Sequence, residues 1–406
     1  MKDKKKKKWI SPRHARVTRL LDFLFRGYIT RKYSVTTTDF DAAGEGPYLI
    51  LYNHQTGFDQ FFVGMVFRAE PVYYVASEDI FTMGLASRAI KYLVNPIPIK
   101  KQSADIRAVI NCMQVAREGG NIAIAPEGNR TFSGRSVYFN PAIATLAKKL
   151  ALPIAFLRIE GGYGIQPRWS DVVRHGRMRA YVSRVMKPEE YSTLTDDALC
   201  DVIREELYVD EYSFDEEYPH RRTAERLERL LYVCPECKLS EFSSRKDKVF
   251  CRRCGLTARY TSDKRFEAVS GLLPFNTVGE WYDYQESYIN SIDPTTLTDA
   301  PLYTDTARIF RVIPYKKKIK LGSRAAVSLF GDRIEIAISK SQMLTIPFDE
   351  ASVVTVLGKN KLNIYIHDKV YQIKGNKSFN AVKYMNLFYR FKNVRKGNSN
   401  DTFLGI

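Results

Sequence analysis

Short apolar runs alternate with helical patterns over the first half of the chain. Four runs have the length and composition of buried strands, at residues 48–52, 72–76, 122–125 and 154–157. Two stretches between them have the apolar spacing of a helix, one from a capping Ser103 to about residue 117 and one over residues 142–150. Strands that alternate with helices predict an α/β layered domain with a largely parallel sheet.

After residue 305 the apolar runs become short and closely spaced, with turn signals between them. We predict seven strands there, at residues 308–312, 326–329, 333–338, 344–346, 352–356, 363–366 and 370–373. A helix closes the chain, with Ser378 as its expected cap. The region is therefore expected to be a small antiparallel β domain with a closing helix. Its topology resembles a pleckstrin-homology-type barrel, and another small β fold is equally compatible.

The N-terminal segment has the pattern of a basic amphipathic helix over residues 9–33. Its apolar face carries Leu20, Leu21, Phe23, Leu24 and Tyr28, and Arg16, Arg19 and Arg26 border it. Such a helix either lies in a membrane interface or packs on the domain behind it, and the pattern favours neither. No run of about 18 apolar residues predicts a transmembrane helix. The lysine-rich start has no uninterrupted apolar core of the signal-peptide kind, so we expect a protein inside the cell.

The chain is strongly basic, with 63 Lys and Arg against 45 Asp and Glu and a net charge of +18. This excess favours a polyanionic partner, either an anionic membrane surface or a nucleic acid. A protein that is basic and merely soluble is also compatible with it. Hydrophobic residues make up 45% of the 406 positions, which is enough for packed cores in two or three domains.

Four of the six cysteines form two CxxC pairs, Cys234 with Cys237 and Cys251 with Cys254. Two such pairs at this separation can surround one tetrahedral ion, and the unit resembles a zinc ribbon. Because all four ligands are cysteines, no position is left for substrate, and we expect structural Zn²⁺. An iron–sulfur centre or a redox dithiol pair are the alternatives.

A histidine and an aspartate follow the first α/β strand. The sequence reads Asn-His-Gln-Thr-Gly-Phe-Asp, with His54 and Asp59 five positions apart across a strand-to-helix turn. Acyl transfer to an alcohol uses such a pair, because the imidazole removes the hydroxyl proton while the carboxylate orients the ring. By itself the pair is a weak signal, since chance His–Asp spacings are common.

A second motif, Ala-Pro-Glu-Gly-Asn-Arg-Thr, occupies residues 125–131 and turns on Gly128. It presents Arg130, and a guanidinium is a natural phosphate ligand because it donates two parallel hydrogen bonds. An ordinary Pro-Glu-Gly turn with an exposed arginine is the simpler interpretation of this motif alone. Between the two motifs an apolar segment that starts at Pro96 ends in Lys100 and Lys101.

The ordered set of motifs over about residues 36–200 resembles the glycerolipid acyltransferase family, whose best-known members acylate 1-acylglycerol-3-phosphate. The resemblance implies that His54 is the general base and Asp59 its partner. It places the acceptor site at Glu127, Gly128, Arg130 and Thr131, with Arg130 on the phosphate. Lys100 or Lys101 would supply a second positive contact.

The chain departs from the family pattern around the second motif. Asn129 stands where threonine is usual, Thr131 where serine is frequent, and Ala125 where phenylalanine is common. Asn140 and Pro141 occupy a position at which the family tends to have a lysine. These changes leave the acyl-transfer chemistry in place and concern the acceptor.

We therefore expect an O-acyltransferase of phospholipid biosynthesis. Its donor would be a thioester of CoA or of acyl carrier protein, and its acceptor a lysophospholipid, foremost lysophosphatidate. Acylation of another lyso-acceptor and a non-catalytic lipid-binding protein are the alternatives. A nucleic-acid binder is a third interpretation, but we expect no nucleic acid, because the sequence shows no aromatic and basic platform for single strands.

The expected fold has five parts. They are a basic amphipathic segment at 1–35, an α/β acyltransferase domain at 36–220, a zinc ribbon at 225–262, a linker at 263–304 and a pleckstrin-homology-like β domain at 305–395. The expected location is cytoplasmic and peripheral, on the inner face of a membrane whose anionic surface attracts the basic chain.

Overall fold

The computed structural model describes residues 8–77, 80–81, 84–99, 105–136, 141–313, 318–339, 341–398 and 401–405. The chain divides into two compact units. The first comprises the described parts of 1–131, 135–165 and 175–216, and the second those of 132–134, 166–174 and 217–406.

A mostly parallel seven-stranded sheet forms the centre of the first unit. Its strands are β1 Val35–Thr37, β2 Leu49–Tyr52, β3 Val72–Ser77, β4 Ile97–Ile99, β5 Asn121–Ile124, β6 Ile154–Glu160 and β7 Met178–Met186. They lie in the order β1-β7-β6-β2-β5-β3-β4, and only the β6–β7 pair is antiparallel. The predicted α/β domain and its four central strands are confirmed.

Helices accompany these strands. They are α1 Pro12–Tyr33, α2 Asp59–Val66, α3 Leu85–Val94, α4 Ile106–Arg117, α5 Ala142–Leu150, α6 Gly162–Ile165, α7 Pro188–Tyr191 and α8 Asp196–Leu207. Ser11 caps α1, which has Pro12 at its first position, where proline costs no hydrogen bond. The predicted cap Ser103 lies outside the described residues, and Asp105 caps α4 by accepting from two backbone amides.

The core of the first unit lies between the sheet and its helices. The strand residues Leu49, Leu51, Ile122 and Phe156 are buried there. Residues from α4, α5 and α8 complete the same cluster, among them Cys112, Ala144, Ala147, Leu199, Cys200 and Ile203. Cys112 and Cys200 are buried and free of disulfides, so they serve the packing.

Helix α1 confirms the helix predicted at the N-terminus, and it has one buried face and one exposed face. His14, Ile29 and Tyr33 are buried. The predicted apolar face is turned outwards at Leu20, Phe23, Leu24 and Tyr28, of which Phe23 is 82% exposed. Among the described helices none has the length and apolarity to cross a bilayer.

The second unit contains the four cysteines of the CxxC pairs. The hairpin β8 Val233–Cys234 and β9 Lys238–Leu239 carries the first pair. A four-stranded antiparallel sheet follows, here called the ribbon sheet, made of β10 Phe242–Arg245, β11 Lys248–Cys251, β12 Thr257–Tyr260 and β13 Phe266–Ser270. The second pair lies where β11 ends.

The segment 263–304 differs from the linker we expected. Strand β13 extends the ribbon sheet into it, and helix α9 Val278–Ser291 packs within the unit. Trp281 of α9 is buried among Phe242, Phe266 and Phe275 and donates from its indole N–H to the Val233 carbonyl at 2.9 Å. The helix thus completes the core behind the ribbon sheet. The other boundaries of the five-part division stay a proposal.

The C-terminal region is a seven-stranded antiparallel sheet with a closing helix. Its strands are β14 Tyr303–Val312, β15 Ile319–Leu329, β16 Arg333–Ser339, β17 Gln342–Pro347, β18 Ala351–Leu357, β19 Lys361–Ile366 and β20 Lys369–Gly375. They lie in the order β17-β16-β15-β14-β20-β19-β18, so all seven predicted strands are confirmed. The closing helix is α10 Val382–Arg395. The amide oxygen of Asn380 accepts from its first backbone N–H groups, at a position two residues later than the expected Ser378 cap.

Candidate active site

The loop between β2 and α2 carries His54 and Asp59, and its start is fixed by Asn53. The buried Asn53 side chain donates to the Ile159 carbonyl at 2.7 Å and accepts from the Ile159 N–H at 2.7 Å. Both bonds run to β6, the sheet neighbour of β2. The backbone that leads into His54 therefore leaves the sheet in one fixed direction.

His54 and Asp59 form a direct pair. The His54 Nδ1 atom lies 2.7 Å from Asp59 Oδ2. The Asp59 side chain has no exposed surface, whereas the His54 side chain is 27% exposed. A buried carboxylate on Nδ1 holds the imidazole with its Nε2 atom free to exchange a proton, which is the arrangement of a general base and its orienting acid.

Three further hydrogen bonds hold the Asp59 carboxylate in place. Its Oδ2 atom accepts from the Gln55 N–H at 2.7 Å. Its Oδ1 atom accepts from the Thr56 N–H at 2.8 Å and from the Thr56 hydroxyl at 2.7 Å. These bonds replace the water that a buried carboxylate has lost, and they fix both oxygens before substrate arrives.

The Pro-Glu-Gly loop after β5 meets the histidine loop at the His54 backbone. The His54 N–H donates to Glu127 Oε2 at 3.4 Å, and the Thr131 N–H donates to the His54 carbonyl at 3.4 Å. Gly128 has φ +62°, a left-handed conformation that a glycine adopts without strain. The two motifs, seventy residues apart in sequence, are therefore one structural site.

Burial raises the pKa of Glu127 to about 8, helped by the nearby Asp59 charge and opposed by the hydrogen bond from the His54 amide. At neutral pH its carboxyl is therefore largely protonated. Glu127 therefore adds little negative charge beside His54 at that pH.

Arg130 is half-buried on the same loop. Burial lowers its pKa, while Asp59 and Tyr33 raise it, so the three groups share one electrostatic environment. An arginine remains charged under such influences. Tyr33, the last residue of α1, is fully buried, with its ring 5.4 Å from that of Phe58 and 5.7 Å from that of Phe62.

Three supporting residues were not predicted as part of the site: Asn53, Tyr33 and Gly162. A Cβ atom added at Gly162 would lie 2.6 Å from Gln55 Cβ and 3.2 Å from Thr56 Cγ2. The glycine therefore lets α6 approach the histidine loop closely. The Gly161–Gly162 pair directly after β6 indicates a turn, but no local sequence pattern indicates which segment it approaches.

The predicted site residues thus separate into two groups. His54, Asp59, Glu127 and Thr131 are joined by hydrogen bonds, and Gly128 and Arg130 belong to the same loop. Lys100 and Lys101 lie outside the described residues.

The four predicted metal ligands converge in the second unit. The Sγ atoms of Cys234, Cys237, Cys251 and Cys254 all lie within 4.8 Å of one another. Two of these distances are 3.6 Å, Cys234 to Cys254, and 3.5 Å, Cys237 to Cys251. Thiolates bound to Zn²⁺ at about 2.3 Å in a tetrahedron are about 3.8 Å apart, so the cluster fits one such ion.

Comparison with known proteins finds relatives of the first unit. The acyltransferase family model matches residues 30–160. The chain is 21% identical over 159 residues to the 1-acyl-sn-glycerol-3-phosphate acyltransferase BAT2, chloroplastic, of Brassica napus, covering 38% of this chain and 45% of that protein. The chain thus spans less than half the length of this curated relative.

Two solved structures show weaker likeness. The 1-acyl-sn-glycerophosphate acyltransferase PlsC of Thermotoga maritima is 17% identical with a TM-score of 0.40, covering 47% of this chain and 76% of that chain. The N-terminal PH domain of human ARAP2 is 15% identical with a TM-score of 0.19, covering 23% of this chain and 81% of that chain. The assignment rests on the sequence match, which includes the paired His54 and Asp59 and the Glu127–Arg130 loop. Residues 30–160 of this chain therefore form a domain of the acyltransferase family.

Proposed function

We propose that this protein is an O-acyltransferase that moves a fatty acyl group from a thioester to the hydroxyl of a lysophospholipid. The observation that carries the proposal is the 2.7 Å contact between His54 Nδ1 and the buried Asp59 carboxylate, within residues that match the acyltransferase family. Phospholipid biosynthesis is the process to which such a reaction belongs.

In this proposal His54 Nε2 accepts the acceptor's hydroxyl proton while the hydroxyl oxygen attacks the thioester carbonyl. The C–O bond forms, the C–S bond breaks, and the thiolate that leaves takes the proton back from the imidazolium. Asp59 keeps the proton on Nδ1 and stabilises the positive charge on the ring during the step. General base catalysis of this kind contributes roughly a hundred- to ten-thousand-fold in rate.

Arg130 is the proposed ligand of the acceptor phosphate. Its guanidinium lies in a partly buried site, where a charge-assisted hydrogen bond is stronger than in water. Glu127 and Thr131 fix the loop that carries Arg130 through their contacts with the His54 backbone, and Gly128 provides the turn of that loop. Lys100 or Lys101 would supply a further positive contact, as the family resemblance implies.

Lysophosphatidate is the acceptor we favour, with phosphatidate as the product. The Brassica relative carries 1-acyl-sn-glycerol-3-phosphate in its name, and Arg130 suits a phosphate monoester. The changes at Ala125, Asn129 and Thr131 keep another lyso-acceptor as the second candidate. The donor is acyl-CoA or an acyl carrier protein thioester.

The test is product analysis with a panel of lyso-acceptors and both donor types. Mass spectrometry identifies the product, and a thiol reagent measures release of the carrier. Phosphatidate formed faster than every other product, with matching thiol release, supports the proposal. Binding of lysolipid without thiol release from either donor would show the rival function, a non-catalytic lipid-binding protein.

The cysteine cluster is proposed to hold one structural Zn²⁺ ion. Four thiolates leave no open coordination position, so the ion would stabilise the hairpin β8–β9 and the ribbon sheet and take no part in catalysis. The Ser240 hydroxyl lies 3.0 Å from Cys251 Sγ and would orient this ligand. Iron with visible absorption, or four free thiols with no metal, would contradict the proposal.

Peripheral attachment to the inner face of a membrane is proposed for the protein as a whole. The net charge of +18 favours an anionic surface, and the outward apolar face of α1 suits the interface below the head groups. The lysine run at the start of the sequence supports the same attachment, although residues 1–7 lie outside the described part of the chain. The C-terminal β domain is proposed to be pleckstrin-homology-like on its strand number and closing helix.

A further inference from the structure

The ribbon sheet has one buried face and one exposed face. Phe242, Val249, Ala258 and Tyr260 are buried, as the alternation of side chains along each strand requires. The residues between them point outwards. Paired positions across β10, β11 and β12 place Ser243, Arg245, Lys248, Phe250, Thr257 and Arg259 on this exposed face.

Three cations lie directly opposite one another across these strands. Arg245 of β10 pairs with Lys248 of β11, and Lys248 pairs with Arg259 of β12. Like charges at paired positions destabilise a sheet. Arg259 is balanced by Asp247 at 3.2 Å and Glu267 at 3.1 Å, whereas Arg245 and Lys248 form no ion pair with the described residues.

The turn between β10 and β11 adds a fourth cation. Lys246 has φ +57°, a conformation that such turns usually assign to Asn, Asp or Gly. Lysine is more strained in this conformation than those residues are, and it adds a positive charge to the turn. The row and the turn together line a groove of about 430 Å³, which is also lined by Phe250, Thr257 and Asp247, the acidic partner of Arg259.

Exposed apolar side chains accompany these cations. Phe250 is 37% exposed in the middle of the face, between Ser243 and Thr257. Val269 of β13, two residues from Glu267 on the same strand, is exposed as well. An apolar centre with cations at its edge is the composition of a surface that binds the interface of an anionic bilayer.

We propose that the exposed face of the ribbon sheet docks on the anionic lipid head groups of a membrane. Arg245, Lys246 and Lys248 bind lipid phosphates in the groove, and Phe250 enters the interface beside them. The head-group charge offsets the repulsion within the cation row, so the arrangement that costs folding stability in water becomes favourable on the membrane.

Single-stranded nucleic acid is the other polyanion that cations and an aromatic ring can bind. Its recognition uses several aromatic side chains on which successive bases stack. The exposed face offers Phe250 as its one aromatic ring among the six residues paired there. The lipid surface is therefore the partner that the face fits better.

The test uses the full-length protein with its metal, and two matched charge reversals. Lys248→Glu changes the centre of the cation row, and Lys377→Glu makes the same charge change at an exposed position of the second unit outside the ribbon sheet. Partitioning is measured by sedimentation with vesicles of phosphatidylcholine alone and of phosphatidylcholine with a third phosphatidylserine. Zinc content and thermal unfolding report the fold of each variant.

Lys248→Glu is expected to lower partitioning to the anionic vesicles by about tenfold or more, since each cation near such a surface contributes appreciably. Its melting temperature should stay equal or rise, because a carboxylate between Arg245 and Arg259 removes the like-charge row. Lys377→Glu should have a much smaller effect on partitioning. Phe250→Ser, which keeps every charge, should lower partitioning as well.

Three results would overturn the proposal. They are equal losses in Lys248→Glu and Lys377→Glu, equal binding of the wild type to neutral and anionic vesicles, and loss of oligonucleotide binding in Lys248→Glu with vesicle binding intact. Vesicle binding needs no turnover, so these outcomes do not depend on the proposed function. Acyl transfer to a short-chain soluble acceptor without vesicles tests that function separately and should be unchanged in Lys248→Glu.

Discussion

His54 owes its orientation to one carboxylate that is sealed from water. Asp59 accepts four hydrogen bonds within its own loop and the histidine ring, so it cannot turn away without losing all of them. An arrangement fixed before substrate binds is what general base catalysis requires.

Substitution of this pair tests the catalytic proposal. His54→Ala should lower kcat by at least about a hundredfold, because no other described side chain takes the place of its Nε2 atom as a base. Asp59→Asn should also cause a steep loss, since an amide can favour the wrong tautomer of the ring. The measurement is thiol release from purified protein, with thermal unfolding as the folding control. Near-wild-type turnover in His54→Ala would exclude the proposed mechanism.

Substitution of Arg130 tests whether this residue binds the phosphate of the acceptor. Arg130→Lys keeps the charge and loses the planar fork, so it should raise the apparent KM for lysophosphatidate much more than that for the acyl donor. Equal effects on both substrates would contradict a role in phosphate binding.

The raised pKa of Glu127 predicts that the unfolding free energy falls as the pH rises. Its pKa is about 8 in the folded protein and near its ordinary value of 4.5 when unfolded, so the folded state holds the proton more tightly. The stability this provides is complete below about pH 4.5 and is lost as the pH rises through about 8. Glu127→Gln should therefore flatten the decline in unfolding free energy between pH 5 and 8. Denaturant titrations of both proteins across that range measure the difference, and parallel curves would contradict it.

Gly162 shows what the sequence could not predict at this scale. The motif residues could be proposed as a site because their types and order carry chemistry. Gly162 matters only because α6 lies against Gln55, which no local pattern reveals. Gly162→Ala should cost about 1–3 kcal/mol of stability and reduce activity, while Gly44→Ala, where the added methyl meets nothing within 4 Å, should be nearly neutral. Equal stabilities of the two variants would contradict the close contact.

At the scale of elements, the four central strands of the first sheet and the seven C-terminal strands were predicted, whereas β1, β4, β7 and α9 were not. The central strands of the first unit are continuous apolar runs. The strands of the C-terminal sheet alternate apolar and polar residues and are separated by turn signals. Both patterns can be read from a short window of sequence. Helix α9 contains three Tyr, two Ser, one Asn and one Gly among its 14 residues, and these types have moderate or low helix propensity. Its formation depends on burial of Trp281 and on Gln285, whose oxygen accepts from the Tyr232 and Val233 amides. Tertiary contacts of this kind are not readable from a window of sequence.

The zinc proposal concerns the stability of the hairpin β8–β9 and of the ribbon sheet. Metal analysis should find one zinc per chain, lost in Cys251→Ser. Chelation should remove the protection of β10–β12 amides from hydrogen exchange before that of β2, β5 and β6, because the ion supplies much of the folding energy of a small sheet. Simultaneous loss of protection in both units, or retention in both after complete metal removal, would contradict a local structural ion.

At the scale of the whole molecule, the question is how a protein without a described spanning helix reaches a lipid substrate. The outward face of α1 combines Leu20, Phe23, Leu24 and Tyr28, and the same helix ends at Tyr33, which lies among the residues around Asp59. Insertion of this face into an interface would bring the site to the depth of the lipid head groups.

Phe23→Glu tests this attachment without touching the core, since the side chain is 82% exposed. Removing one phenylalanine from the interface and adding a negative charge should lower partitioning to anionic vesicles roughly tenfold or more. Activity on vesicle-borne acceptor should fall with it, while activity on a short-chain soluble acceptor should persist. Tyr208→Glu, at another exposed aromatic of the first unit, is the matched control. If both variants bind vesicles as the wild type does, α1 is not the anchor, and the exposed face of the ribbon sheet is left to provide the attachment alone.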